Sequence, residues 1–253
     1  MGLPMHAPNR GQTQTSVKRR YRPPQHIQTK SLRDLVEFCG RGALEEKQFT
    51  LLSGRRDDPD VDVFYAGNLD LLKRPAVSIV GAREVTEEGQ QRARRLAREL
   101  IQAGIVVVSG LARGIDTAAH LGAIEHRGST AAVIGTPLDK SYPAENAELQ
   151  EIIYRDHLLL SPFPLGERVF PSNFPKRNRV MAALTDASVI VEASDTSGSL
   201  HQAAECQRLH RWLFIMKSVV DNPELTWPKK FVGKDHVAVL TATADIINAI
   251  RRA

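Results

Sequence analysis

Residues 76–110 read AVSIVGAREVTEEGQQRARRLARELIQAGIVVVSG, and this stretch decides the fold. Two short apolar runs, at 77–81 and 105–109, flank a segment whose apolar residues recur at helical spacing: Ala93, Leu96, Ala97, Leu100 and Ile101. Gly104 then marks the end of that helix. Apolar runs of this length are typical of strands buried on both faces of a parallel sheet. The stretch therefore predicts a strand–helix–strand unit.

The same alternation continues toward the carboxyl terminus. It predicts further strands at 131–135, 157–161, 188–192 and 212–216, and a weaker one at 236–240. The helices that it predicts are 115–127, 144–155, 175–184, 199–210 and 242–252. Alternation repeated this often predicts an α/β fold with a doubly wound, mostly parallel sheet over residues 76–253. The pattern leaves the strand order open.

The positive charge of the chain is concentrated at its amino terminus. The net charge is +5, from 34 basic and 29 acidic residues. Residues 1–30 contain no acid and six of the cations, namely Arg10, Lys18, Arg19, Arg20, Arg22 and Lys30. This stretch is poor in apolar periodicity, so we expect a disordered basic tail over 1–30, which either attracts phosphates or only keeps the chain soluble. Residues 31–75 are expected to form a short lead-in of helices and loops.

Several classes of protein are disfavoured by what the sequence lacks. No apolar run approaches the roughly 20 residues of a membrane helix, and two cysteines are too few for a disulfide framework, so a cytoplasmic protein is expected. There is no P-loop, GxGxxG, GxSxG or HExxH motif, and the eight histidines are scattered. We therefore expect no catalytic residues, no cofactor and no metal site.

Small residues follow the predicted strands at the places where ligands bind in open α/β sheets. The turn after the first strand contains Gly81 and is followed by Thr86, SGLARGID (109–116) follows the second strand, and DTSGS (195–199) follows the fifth. Small residues let backbone amides approach an anion, and helix amino termini favour negative charge. The candidate phosphate-loop residues are Gly81, Thr86, Gly198 and Ser199.

The stretch NFPKRNR, residues 173–179, gives the sharpest indication of function. If Pro175 begins a helix, Lys176, Arg177 and Arg179 lie in its first turn, where cations oppose the helix dipole. A polyanion bound over them would explain this placement; the alternative is that they point outward into solvent. Phe170 lies just before this cluster and is a candidate for stacking on unpaired bases.

The order of these motifs resembles the DprA/Smf DNA-processing family over roughly residues 64–216. The resemblance is carried by VSIVGAR (77–83), SGLARGIDTAAH (109–120), YPAEN (142–146), FPKRNR (174–179) and VEASDTSGSL (191–200). It implies an extended Rossmann-like domain that binds single-stranded DNA, protects it, forms homodimers and helps to load the recombinase RecA during natural transformation. The DNA-binding residues that it implies are Arg83, Ser109, Gly110, Arg113, Lys176, Arg177, Asn178 and Arg179.

A second reading of the fold is a nucleotide-binding or nucleotide-hydrolysing protein. Lysine decarboxylase-like phosphoribohydrolases have a related Rossmann-like fold and a PGGxGTxxE motif at the helix start after the fifth strand. This chain has SDTSGSLHQAAE at residues 194–205, which lacks the double glycine and keeps an acid at Glu205. We therefore keep this reading as the alternative.

Overall fold

The computed structural model describes residues 20–41 and 60–252 of the chain, and these residues form one nine-stranded sheet. The strands are β1 Gln28–Ser31, β2 Asp62–Gly67, β3 Ala76–Val80, β4 Val106–Ser109, β5 Thr130–Val133, β6 Leu158–Ser161, β7 Ala187–Ile190, β8 Trp212–Met216 and β9 Val237–Leu240. The described helices are α1 Leu32–Phe38, α2 Glu87–Gln102, α3 Ile115–Glu125, α4 Ala147–Asp156, α5 Asn173–Ala183, α6 Ser199–Arg208, α7 Lys217–Val220 and α8 Thr243–Arg252.

The predicted α/β class and the doubly wound parallel sheet are confirmed. Strands β3 to β9 are parallel, and each lies within two residues of its predicted position. The strand order is β1-β2-β6-β5-β4-β3-β7-β8-β9, so β3 is central. The chain winds outward from β3 to β6 and then returns to place β7 on the other side of β3. The winding direction therefore reverses between β3 and β7.

Helices cover both faces of the sheet, as the continuous apolar strands require. All five residues of β3 are buried, and their side chains alternate between the two faces. Val77 and Ile79 pack on the side of α2 and α3, whereas Ala76 and Val80 belong to the core beneath α5 and α6. On α2 the predicted stripe is confirmed, because Ala93, Leu96, Ala97 and Leu100 are buried. Each fully buried leucine of this kind contributes roughly 2 kcal/mol.

The amino-terminal part of the fold differs from the prediction. The disordered tail is predicted to reach residue 30. In the structure, β1 begins at Gln28 and pairs antiparallel with β2, and Tyr21 and Arg22 form hydrogen bonds with residues of α4. These contacts join residues far apart in the sequence, so no local pattern could indicate them. Residues 1–19 and 42–59 lie outside the described part, including the second half of the predicted lead-in.

Strand β2 was missed because it lies in the stretch assigned to the lead-in. Val63 is buried between the exposed Asp62 and the half-buried Phe64, whereas Tyr65 and Ala66 are both buried, so the alternation of a half-buried strand holds only over its first four residues. Helix α1 does correspond to the expected lead-in helix, with Leu32, Leu35 and Val36 buried. Among the described helices, none has the length and apolar character to cross a membrane.

A buried ion pair joins the lead-in to the amino ends of the central strands. The Arg41 guanidinium lies with its Nε 2.9 Å from Asp186 Oδ1, and its Nη1 and Nη2 donate to the carbonyl oxygens of Leu72 and Arg74. Asp186 Oδ2 also accepts from the backbone NH of Ala76, at 2.7 Å. This cluster stabilises the junction of α1, β3 and β7, at the amino edge of the sheet.

Candidate functional site

A cleft of about 1160 Å³ opens at the carboxyl ends of β3 and β7. It lies where the winding of the sheet reverses, which is the usual ligand position in open α/β folds. The loop after β3, the loop after β7 and the start of α5 form its walls. Its charged lining residues have both signs: Arg83, Arg92 and Arg177 face Glu84, Glu88, Asp116 and Glu192. The cleft is therefore not uniformly basic.

A protein carboxylate occupies the amino terminus of α2. Glu192, at the end of β7, accepts from the backbone NH of Thr86 at 3.3 Å and from its Oγ1 at 2.9 Å. A Cβ at Gly89 would overlap this carboxylate, so a larger residue there would displace the Glu192 side chain. Thr86 itself caps the helix by accepting from the NH of Gly89 at 3.0 Å. The assignment of Thr86 to a phosphate loop is corrected accordingly, because Glu192 fills that position.

Helix α5 begins two residues earlier than predicted, at Asn173, so Pro175 is not its first residue. Lys176, Arg177 and Arg179 consequently follow the first three helical residues and do not crowd its first turn. Each residue turns about 100° further around the helix axis, which separates the three side chains. Lys176 is exposed, Arg177 is buried, and Arg179 Nε lies 3.3 Å from Glu205 Oε1. The three cations therefore do not form the single cluster facing a polyanion that the sequence predicts.

The buried side chain of Arg177 connects loops of the fold through hydrogen bonds. Its side chain lies in a niche where Gly110 leaves room, since any Cβ at Gly110 would overlap the guanidinium. Nη1 donates to the carbonyl oxygen of Val133 at 2.5 Å, and Nε donates to Asn178 Oδ1 at 2.9 Å. Only 6% of Arg177 is exposed, although it borders the cleft. Gly110 thus has a packing role, and Arg177 connects the ends of β4 and β5 to α5.

The charge of Arg177 is balanced within the protein by Asp116. Burial lowers the pKa of Arg177, and the nearby Asp116 carboxylate opposes that change. Burial likewise raises the pKa of Asp116, against the attraction of Arg177. Asp116 Oδ2 also accepts from the backbone NH of Ala112, at 3.3 Å. Both buried groups line the cleft, and Asp116 is hydrogen-bonded to the loop after β4.

An exposed cation and two aromatic rings form the accessible part of the cleft. The guanidinium of Arg83 lies 5.1 Å from the centre of the Phe174 ring, and the ring of Tyr142 lies 5.6 Å from that of Phe174. Arg83 is exposed, and 51% of Tyr142 is exposed. The family resemblance indicates Arg83 as a site residue, but neither ring is among the predicted site residues. No local signal in the sequence places Tyr142 next to Phe174.

Phe170 lies beside this group and does not line the cleft. It is 46% exposed, and the Arg168 guanidinium lies 5.5 Å from its ring centre. Its accessibility agrees with a stacking role outside the cleft. Base stacking on Phe170 therefore stays a prediction.

The other predicted site residues divide into structural and accessible positions. Ser109 is buried and donates to the carbonyl oxygen of Ile79 at 2.6 Å, so its assignment to DNA contact is corrected. Arg113 lies outside the lining of the cleft, with Nε 2.6 Å from Glu145 Oε1, but it is exposed, so its contact with DNA stays a prediction.

Gly81, Asn178, Gly198 and Ser199 do line the cleft. A side chain at Gly81 would meet Ile115, so this glycine permits close packing of the loops. Asn178 Nδ2 donates to the carbonyl oxygen of Gly198 at 3.4 Å. Gly198 and Ser199 begin α6, and Ser199 Oγ lies 2.7 Å from Ser197 Oγ. Gly198 and Ser199 keep their predicted role as candidates for phosphate contact.

Two acids near the cleft, Asp195 and Glu205, are engaged in structural contacts. Asp195 accepts from the backbone NH groups of Trp227 and Thr226, and these hydrogen bonds lower its pKa. Glu205, the acid on which the nucleotide-hydrolase reading depends, binds Arg179 and accepts from Arg208 Nε at 2.8 Å. Within residues 20–41 and 60–252, no three histidine, cysteine, aspartate or glutamate side chains are grouped so that they could hold a metal ion. The geometry does not favour the hydrolase alternative.

His120 should make the stability of the fold sensitive to acid. It is fully buried on α3, and burial, together with the nearby His157 and Arg177, lowers its pKa to about 3. The unfolded chain binds a proton at this residue below pH ~6.5, whereas the folded protein does not, so stability is lost as the pH falls from there toward 3. The expected loss at pH 5 is about 2 kcal/mol. We expect His120→Gln to remove that part of the decrease between pH 7 and pH 5 in urea unfolding.

His201→Gln, at an exposed position of α6, is the matched control. If His120→Gln and the unmodified protein lose the same stability between these pH values, the buried neutral state of His120 is wrong.

Comparison with known proteins identifies the family. A family model described as DNA recombination-mediator protein A matches residues 43–251. The chain belongs to this family. A curated member, DNA processing protein DprA of Streptococcus pneumoniae, is 47% identical over 165 residues, which cover 65% of this chain and 58% of the relative. The chain thus spans less than two thirds of that relative's length.

Two solved structures from the DprA family share the fold. The X-ray structure of DprA from Streptococcus pneumoniae is 35% identical, with a TM-score of 0.71, and the match covers 88% of this chain and 74% of that one. DprA from Helicobacter pylori is 27% identical, with a TM-score of 0.69 over 90% of this chain and 97% of that one. The Helicobacter structure is described as giving insights into a unique single-stranded DNA binding mode. The resemblance noted in the sequence is confirmed, as is the Rossmann-like fold.

Proposed function

We propose that this chain binds single-stranded DNA in the cleft at the ends of β3 and β7 and mediates DNA recombination as a member of the DprA family. The observation that carries the proposal is the group of Arg83, Phe174 and Tyr142, in which an exposed guanidinium adjoins two accessible rings. Unpaired bases stack on aromatic rings while cations neutralise the adjacent phosphates. Bases in a duplex have their faces covered by neighbouring bases, so the same group favours single strands.

Each part of the cleft is assigned a separate task. In the cleft, Arg83 contacts phosphates, and the backbone at Gly198 and Ser199 can add hydrogen bonds to phosphate oxygens. The exposed Lys176, between the lining residues Pro175 and Arg177, contacts a phosphate beside the cleft. Phe174 and Tyr142 stack on bases, and Phe170 extends this surface beyond the cleft. Arg177 and Asn178 position the loops and do not contact the strand through an exposed charge.

The mixed charge of the cleft sets an expectation for salt dependence. Exposed Glu84 and Glu88 lie among the cations, so few phosphates can be neutralised inside the cleft. For single strands the slope of log affinity against log salt is about −0.7 per neutralised phosphate. Two such contacts, at Arg83 in the cleft and at Lys176 beside it, predict a slope contribution near −1.4, with stacking providing much of the remaining affinity.

The test is a fluorescence-anisotropy titration of a single-stranded oligonucleotide and its duplex at several salt concentrations. The unmodified protein should bind the single strand more tightly than the duplex. Arg83→Ala should weaken single-strand binding about tenfold and reduce the salt slope by about 0.7, since one phosphate contact and the cation over Phe174 are lost. Phe174→Leu should weaken binding by about 1–3 kcal/mol and leave the slope unchanged, because it removes only stacking.

Arg95→Ala is the matched control, because Arg95 is exposed on α2, outside the lining of the cleft, and pairs only with Glu99 along the same helix. Equal affinities for Arg83→Ala, Phe174→Leu and Arg95→Ala would contradict the placement of DNA in this cleft. Equal binding of single strand and duplex would contradict the assigned substrate.

The proposal extends to the partners that family membership implies. We propose that the chain forms homodimers and assists the loading of RecA onto single-stranded DNA, and these two points rest on the family resemblance. We propose no enzymatic activity for the cleft, since two of its lining acids, Asp116 and Glu192, accept hydrogen bonds from backbone NH groups of the protein.

A further inference from the structure

A segment that follows α7, residues 226–234 with the sequence TWPKKFVGK, is attached to the wall of the cleft. Asp195, in the loop after β7, accepts from the backbone NH groups of Thr226 at 3.1 Å and Trp227 at 2.8 Å, and from Thr226 Oγ1 at 3.0 Å. The Trp227 side chain is fully buried, and its Nε1 donates to the carbonyl oxygen of Ala193 at 3.1 Å. Since Ala193 lines the cleft, these hydrogen bonds join the start of the segment to the cleft wall.

Two lysines follow directly after this attachment. Trp227–Lys230 form a short 3₁₀ helix, and Lys229 and Lys230 at its end are exposed. In the described part of the chain, neither lysine forms an ion pair with a carboxylate. The hydrogen bond from the Trp227 backbone NH lowers the pKa of Asp195, and the charge of Lys230 lowers it further, so Lys230 lies near the loop after β7. The end of this helix therefore has two adjacent positive charges.

The lysines lie at the opposite end of the cleft from its aromatic rings. Tyr142 follows β5, whereas Ser218, which also lines the cleft, follows β8. Strands β5 and β8 are four positions apart in the sheet, which at the usual strand spacing is roughly 19 Å. Leu225 lines the cleft and is four residues from Lys229, so their Cα atoms are at most about 15 Å apart. A DNA strand that stacks on the rings and crosses Arg83 would leave the cleft toward the lysines.

Two acids near the lysines have other partners. Asp221 Oδ2 lies 2.7 Å from Lys217 Nζ, and Asp195 accepts the hydrogen bonds from the start of the segment. Glu224 is exposed and lies in the sequence between the cleft lining and the lysines. Residues 226–234 themselves contain three lysines and no acid. The ammonium groups of Lys229 and Lys230 can therefore meet an anionic ligand.

We propose that Lys229 and Lys230 form a second phosphate-binding site for the single-stranded DNA, where the strand leaves the cleft on the side of β8. This inference rests on the proposed function and adds contacts outside the cleft. Single-stranded nucleic acid is the occupant that the position favours, because the lysines continue the line from the aromatic rings over Arg83, and cations beside a stacking surface neutralise successive phosphates. The attachment of the segment to the cleft wall keeps the lysines beside this exit.

The test is a fluorescence-anisotropy titration of an oligothymidylate of about 20 nucleotides with the full chain at several salt concentrations. Lys229→Gln combined with Lys230→Gln should make the slope of log affinity against log salt shallower by about 1.4, since two phosphate contacts are lost. Affinity at low salt should fall at least about fivefold. Adding Arg83→Ala to this lysine variant should bring the total change in slope to about 2.1, because the three cations contact different phosphates. A lysine variant with the slope and affinity of the unmodified protein overturns the inference.

Arg127→Gln combined with Arg251→Gln is the matched control. Both arginines are exposed, Arg127 just before β5 and Arg251 in the last turn of α8, and both lie toward the amino edge of the sheet, away from the cleft. This variant has the same net charge as the lysine variant. A general effect of charge would therefore appear equally in both, and an equal change in slope would contradict a site at the lysines.

Crosslinking tests the position of the strand directly. Cys39 and Cys206 are both buried, so a thiol-reactive photo-crosslinker should label Val232→Cys selectively. Val232 is 40% exposed and lies two residues after Lys230. The protein labelled there should crosslink to the oligothymidylate much more than the protein labelled at Arg127→Cys.

The outcomes distinguish this inference from the proposed function. If Arg83→Ala weakens binding but the lysine variant keeps its slope and Val232→Cys does not crosslink, the second site is wrong and the cleft stands. If the lysine variant changes only the oligomeric state in sedimentation, the lysines belong to an interface between protein chains and the inference is overturned. If the unmodified protein does not bind the oligothymidylate, the proposed function itself fails.

Discussion

Arg177→Ala should lower the free energy of unfolding by about 3 kcal/mol, because it removes a buried side chain together with its hydrogen bond to the Val133 carbonyl oxygen. Asp116 would remain buried without its opposing cation, and the carbonyl oxygen of Val133 would lose its donor. The loops after β4 and β5 would also lose their link to α5. Urea unfolding at neutral pH measures this loss, and the same variant should bind single-stranded DNA poorly even under conditions where it is folded.

Lys176→Ala is the matched control, one residue away on the same helix. Its side chain is exposed, so we expect a change in stability within about 0.5 kcal/mol and a reduced salt slope for DNA binding. We therefore expect a large loss of stability for Arg177→Ala only, and a reduced salt slope without such a loss for Lys176→Ala. An Arg177→Ala protein as stable as Lys176→Ala would show that Arg177 is not a structural tether.

Asp186→Ala should have an effect of similar size at the opposite edge of the sheet. It leaves the Arg41 guanidinium buried without its carboxylate and removes the acceptor of the Ala76 backbone NH. A loss of about 3–5 kcal/mol is expected in urea unfolding. Since Asp186 lies at the amino end of β7 and the cleft lies at its carboxyl end, the folded variant should keep its affinity for DNA.

The comparison for this variant is Asp70→Ala, which breaks the exposed ion pair with Lys73. Such pairs contribute about 0–1 kcal/mol, so little change is expected. A stability for Asp186→Ala within 1 kcal/mol of that for Asp70→Ala would mean that the pair does not stabilise the junction.

The parallel part of the fold could be predicted because its strands are buried on both faces and read as continuous apolar runs. β3, β4 and β7 are examples, each bounded by glycine or polar turns. Strand β1 could not be predicted in this way, since its residues are partly exposed and its pairing partner lies more than 30 residues away. The strand order depends on tertiary packing, to which a local pattern is insensitive.

The location of the site was predictable, and the roles of its side chains were only partly so. Glycine-rich turns after the strands indicated the correct edge of the sheet, and Arg83 lies there. The direction of each cation on α5 depends on where the helix begins. Pro175 indicates a start at residue 175, whereas the helix begins at Asn173. The niche of Arg177 is formed by Gly110, 67 positions earlier, and the pairing of Tyr142 with Phe174 likewise joins distant segments.

The Glu192 carboxylate at the start of α2 has a consequence for ligand selectivity. In dinucleotide-binding proteins the helix after the first strand receives a pyrophosphate at its amino terminus. Here that terminus already interacts with a negative charge of the protein, so a free nucleotide with its charge concentrated in one terminal group would be repelled from it. A polymer avoids this penalty, because its phosphates can lie along the rim while its bases enter the cleft. The Glu192 carboxylate at the start of α2 should thus favour polynucleotides over mononucleotides, although Glu192 itself contacts no base.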